Sequence, residues 1–169
     1  MRTGKIARGA LTLALIVVSF MLFRGTTSIF NSFIVPLALY IFLKDFRFRE
    51  WLTTILAAFI LVVIFFGTQI FFMVTYGLLA FLLSVVAGKK IFLRIIILIS
   101  GAAFSFVIAI YLTDIILGTA IQQALTSLAG GTQAGFYLFV LVEGVATGTI
   151  LAFASSWLEK RLEPGLFSN

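Results

Sequence analysis

The chain contains no cysteine and no histidine. Those two absences exclude disulfides, thiolate chemistry, Cys/His zinc sites, histidine-ligated haem and every Ser–His or Cys–His catalytic arrangement. Charge is also scarce: 11% of the 169 residues are charged, against about 25% in a soluble domain. Only six residues are acidic. The phosphate-loop motif (Gly, four residues, Gly-Lys-Ser/Thr) is missing, so any use of ATP lies in another chain. The formal charge of +6 comes with no basic patch on a folded polar surface and no nucleic-acid motif, so nucleic acid is not an expected partner.

Apolar sequence dominates. Hydrophobic residues make up 62% of the chain, and the mean hydropathy is +1.22. Runs of roughly 20 apolar residues are what a hydrocarbon core about 30 Å thick requires of a helix. A membrane β-barrel would alternate apolar and polar residues at period two. The run from Ile55 to Phe66 is instead apolar on all sides, which excludes a barrel and predicts helices.

The basic residues punctuate these runs. Eleven of the twelve fall into four clusters: Arg2, Lys5 and Arg8; Lys44, Arg47 and Arg49; Lys89, Lys90 and Arg94; Lys160 and Arg161. Arg24 stands apart. Such clusters keep loops in the cytoplasm and meet anionic lipid headgroups. The opening residues look like a signal peptide, but Phe23-Arg24 is a poor cleavage site, so they read as a retained first helix.

Apolar helices are expected over 6–23, 29–43 (with Pro36 inside), 51–66, 70–87, 91–117 and 135–158. The stretch from Trp51 to Gly88 would be about 55 Å long as one helix, too long for one span. Gly67-Thr68-Gln69 supplies the turn that divides it. The expectation is therefore an all-α polytopic membrane protein. One integral-membrane domain over 1–169 forms a six-transmembrane-helix bundle, with both termini cytoplasmic. Five spans would put Lys89, Lys90 and Arg94 on the wrong face. Trp51 and Trp157 then lie at the cytoplasmic boundary, where indoles prefer to sit.

Four acidic residues, Asp45, Glu50, Glu159 and Glu163, accompany basic ones and read as solvated loop charge. Asp114 and Glu143 lie in apolar helices near the outer side, where an ionisable group usually faces a cavity or a partner. Glu143 has two readings: it lines an outward-facing pocket and binds a ligand's cationic or donor group, or it pairs with Arg24 or is held protonated by hydroxyls. Tyr111 shares a helix face with Asp114, and Gln69, Met73 and Tyr76 share another. All could converge at an outer mouth.

In the loop from Gly118 to Ala134, Ile121, Leu125 and Leu128 fit one face of a short helix. That helix either lies at the interface or covers an outer pocket, with Gly130-Gly131 as its hinge. Gly144, Gly148 and Ala152 recur at spacing four, which lets helices approach closely. Packing within the chain is the favoured reading over an oligomer face. No helix carries a nucleophile–base pair, so catalytic residues, metal ligands and cofactors are not expected.

The first helix begins Lys5-Ile6-Ala7-Arg8-Gly9-Ala10-Leu11-Thr12-Leu13-Ala14, with Ala10 and Ala14 as an AxxxA pair near its cytoplasmic end. This resembles the substrate-binding S components of energy-coupling factor vitamin transporters, as do the length, the six spans and the basic loops. The resemblance implies a small-molecule ligand bound from the outer side. It also implies a coupling membrane protein docked on Ala10 and Ala14, and cytoplasmic ATPases as further partners. The segment from Arg24 to Ser28 is shorter than the loop that helps close the site in that family. The candidate ligand-binding residues are Glu143, Asp114, Tyr111, Tyr76 and Gln69. The alternative is a non-catalytic scaffold similar to the rod-shape MreD-type proteins, whose acidic residue near the end of the third span is absent from Phe65-Phe66-Gly67-Thr68.

Overall fold

The computed structural model describes residues 2–23 and 25–162. Among the described residues seven α-helices follow one another: α1 (Arg2–Leu22), α2 (Asn31–Leu43), α3 (Phe48–Phe65), α4 (Ile70–Val86), α5 (Ile91–Leu117), α6 (Ile121–Leu128) and α7 (Gln133–Leu162). No strand occurs among the described residues. The turns stand where the sequence changes character. Gly67–Gln69 is a single 3-10 turn between α3 and α4, and the basic pair Lys89–Lys90 separates α4 from α5. At Gly118, φ is +63°, a left-handed value that glycine adopts without a Cβ clash, and there α5 stops.

Five helices, α1, α3, α4, α5 and α7, are long and apolar enough to cross a bilayer. The sixth expected span corresponds to α2, which has 13 residues and so a length of about 20 Å. The 3-10 segment Gly25–Phe30 precedes it directly and extends the helical path by about 12 Å. Pro36 sits inside α2 and is buried, where its ring removes one i→i−4 hydrogen bond. Asn31 fixes the passage from α1 to α2. Its Oδ1 accepts from Ser19 Oγ at 2.5 Å, and its Nδ2 donates to the Phe23 carbonyl at 3.0 Å.

The centre of the bundle is the pair α5 and α7. Glycine makes the contact possible: a Cβ at Gly144 would lie 2.8 Å from Ala103 Cβ, and one at Gly148 only 2.5 Å from the Ile99 backbone nitrogen. The Gly144–Gly148–Ala152 stripe is thus an intramolecular seam. Helices α2 and α4 pack against this pair, and their interior is filled by Val35, Leu39, Met73, Leu79 and Leu83 with Leu98, Phe106 and Leu151. Ser32 Oγ and Thr147 Oγ1, 2.9 Å apart, join α2 to α7 by a hydrogen bond. Helix α3 is peripheral: it packs on α1 and α4 and buries only Ala58 and Val62.

Polar links gather the basic clusters at one end of the bundle. Lys5 pairs with Glu50 at 2.7 Å and Arg8 with Asp45 at 3.1 Å, tying the start of α1 to the α2–α3 turn. Arg94, at the start of α5, is 2% exposed. It donates from both terminal nitrogens to Glu159 near the end of α7, at 2.6 and 3.1 Å. The Tyr40 hydroxyl of α2 donates to the same carboxylate. The reading of Glu159 as solvated loop charge is therefore corrected. Removed from water, Arg94 needs a counter-charge, and a two-pronged carboxylate fits its guanidinium fork. Trp51 and Trp157 lie at this same end, and Arg161 stacks over the Trp157 ring, 4.9 Å from its centroid. Glu163 and Arg24 lie outside the described residues.

Candidate functional site

At the end away from the basic clusters, a cavity of about 510 Å³ opens between α4, α5, α6, α7 and the segment before α2. Three of the five candidate ligand-binding residues meet in its wall: Gln69, Tyr76 and Glu143. Gln69 closes the 3-10 turn at the head of α4. Tyr76 lies two helical turns further in, 3% exposed. Glu143 projects from α7, roughly 15 Å along the axis from Gln133. None of the three side chains makes a hydrogen bond or an ion pair among the described residues. The pairing of Glu143 with Arg24 that the sequence left open falls on a residue outside them. Met73, expected on the same face as Gln69 and Tyr76, is 1% exposed and packs into the core instead.

Apolar side chains complete the wall. Phe72 comes from α4, Ile110 from α5 and Phe139 from α7, while Ser28 and Ile29 enter from the 3-10 segment. Ile121, Leu125 and Leu128 of α6 form the remaining side. The short helix foreseen in the loop therefore lies over the cavity with Ile121 and Leu125 packed inward, while Leu128 at its end is largely exposed. Its far end is followed by Gly130 and Gly131, at φ +85° and +75°. Two consecutive left-handed residues reverse the chain into α7, a path closed to most side chains.

Asp114 and Tyr111 stand beside the cavity and hold α6. Asp114 Oδ1 accepts from Thr119 Oγ1 at 2.5 Å and from the Ile121 backbone N–H at 2.8 Å. Its Oδ2 accepts from the Gln122 N–H at 2.7 Å. A carboxylate thus satisfies the free N–H groups and the positive dipole end of α6 from outside the helix, as an N-cap residue does from within. The Tyr111 hydroxyl accepts from Gln122 Nε2 at 3.2 Å and from Gln133 Nε2 at 3.3 Å, and lies 3.1 Å from the Tyr137 hydroxyl. These links join α5, α6 and the start of α7.

Sequence reasoning missed Phe72, Ile110, Phe139, Ser28 and Ile29 as wall residues. Inside uniformly apolar runs, nothing in residue type separates a cavity-facing position from a lipid-facing one. It also missed the contact of Arg94 with Glu159, whose only sequence signal is that both sit a few residues inside helix ends.

A second groove, of about 530 Å³, runs between α1 and α3 at the basic end. Ala10 lines it beside Gly9, Leu13 and Ala57, with the Lys5–Glu50 pair at its head. Ala14, one turn further along α1, is exposed.

Comparison of the chain with protein-family models, with curated proteins and with solved structures gives no match. Fold and site together define a class: an all-helical bundle with five helices of membrane-crossing length and a largely apolar cavity at one end.

Proposed function

We propose that this chain is the membrane-embedded solute-binding subunit of an energy-coupling factor type transporter. It crosses the cytoplasmic membrane six times, with α2 and its preceding 3-10 segment as the second crossing and both termini inside. The four basic clusters at one end of the bundle support that orientation. A small, vitamin-like solute enters from the outer side. The chain itself performs no covalent chemistry. A coupling membrane protein docks on the Ala10 and Ala14 face of α1, and cytoplasmic ATPases drive release. Solute must bind the outward form better than the released form, because only differential affinity shifts such an equilibrium.

One observation carries the reading. Gln69, Tyr76 and Glu143 converge, without side-chain hydrogen-bond partners among the described residues, in a cavity of ligand size at the end opposite the basic clusters. A scaffold that works through its outer helix surfaces has no use for such a cavity.

The test is purification from native membranes, followed by mass spectrometry of proteins and small molecules. Glu143→Gln is expected to keep the protein partners and lose the solute. Ala10→Leu with Ala14→Leu is expected to lose the partners and keep the solute. Recovery of the wild-type chain with neither a membrane partner nor a solute would refute the proposal.

A further inference from the structure

The chemistry of the cavity wall is more selective than its size. Glu143 is a carboxylate deep in an apolar bundle with no counter-charge among the described residues. A group in that position is costly unless something pairs with it. Around it stand the rings of Phe72, Tyr76 and Phe139, whose faces attract cations. Aliphatic side chains of Ile110 and Leu125 fill the space between. An anion would bring no positive charge to Glu143. A bare metal ion would leave most of the apolar wall uncovered, and a hydrocarbon would leave the carboxylate unpaired.

We infer that the cavity takes a compact amphipathic monocation. Its ammonium or protonated ring-nitrogen head sits on Glu143, and its ring or short chain lies against Phe72, Phe139, Ile110 and Leu125. The Gln69 amide oxygen and the Tyr76 hydroxyl oxygen accept the remaining N–H hydrogen bonds of the head. The inference rests on the solute-binding reading above and narrows it to one class of solute.

The test uses the full chain in lipid nanodiscs and three probes with one shared body: phenylbutylamine, which is cationic at neutral pH, phenylbutanol and phenylbutanoate. Calorimetric titration is corrected with empty nanodiscs, which removes partitioning into lipid. The amine is expected to bind saturably and the alcohol about tenfold or more weaker, the scale of one hydrogen bond to a charged group. The carboxylate probe is expected not to saturate. Glu143→Gln should bring the amine to the level of the alcohol while the thermal unfolding midpoint stays in place.

Alcohol or carboxylate binding as tightly as the amine would overturn the cation assignment and leave solute binding standing. So would a Glu143→Gln variant with unchanged preference. An Arg24→Gln variant that gains about tenfold in amine affinity would make Arg24 the counter-charge of Glu143 and overturn the assignment as well. Failure of all three probes to saturate would count against both readings.

Discussion

The Asp114 carboxylate accepts the backbone N–H of Gln122 at 2.7 Å, across the left-handed turn at Gly118 that separates their helices. An acidic residue first read as a possible ligand contact thus holds the start of the helix that covers the cavity. Asp114→Ala should remove the external cap from α6, a loss of about 1 kcal/mol for a residue of this type. Hydrogen exchange should quicken over 121–128 while the global unfolding midpoint moves little. Unchanged exchange there would mean that the carboxylate does not anchor the helix.

Arg94 and Glu159 supply a second case. Arg94→Met alone strands a partly buried carboxylate, and breaking such a pair costs about 3 kcal/mol. Arg94→Met combined with Glu159→Met should recover a large part of that loss, since an apolar pair needs no counter-charge. Thermal midpoints of the wild type and the two variants in one detergent provide the measurement. A double variant as unstable as Arg94→Met would argue that the pair is not an isolated electrostatic unit.

Gly148→Ala should lower stability by about 1–3 kcal/mol through overpacking, because its methyl would meet the Ile99 backbone. Gly4→Ala, with nothing within 4 Å of the new Cβ, serves as the control and should leave the midpoint in place or raise it slightly. Equal effects at the two positions would contradict the close approach of α5 and α7.

Because the chain has no cysteine, single cysteines can be labelled without background. In intact cells a membrane-impermeant maleimide should react with Thr68→Cys, at the turn between α3 and α4, and not with Lys89→Cys. The reverse pattern would contradict the proposed orientation at this pair of turns, and labelling of both would mean that α4 does not cross the membrane.

Much of the architecture could be read from the chain because turns and clusters interrupt otherwise uniform apolar sequence. Gly67-Thr68-Gln69 foretold the break between α3 and α4, and the spacing of Gly144 and Gly148 foretold a tight helix contact. Ile121, Leu125 and Leu128 foretold a short amphipathic helix with one apolar side. The cavity was only partly legible. Gln69, Tyr76 and Glu143 stood out as polar groups in apolar helices, whereas Phe72 and Phe139 look the same in sequence as residues facing lipid. Asp114 was legible as unusual but not as a cap, since its partners Thr119, Ile121 and Gln122 lie beyond a glycine turn whose direction the sequence does not specify. Arg94 was grouped with the loop lysines by proximity, although one turn of helix carries it from the surface into the interior.

The glycine seam has a mechanical corollary. With the backbones of α5 and α7 in touch at Gly144 and Gly148, neither helix has room to slide along the other. Those two form a stationary frame. Under the solute-binding proposal, the elements left to yield are the eight residues of α6 and the more loosely seated α3 with its turn into α4. Glu143 and Phe139 ride on the fixed half, Leu125 and Gln69 on the yielding half, and the cavity lies along the line where the two halves part.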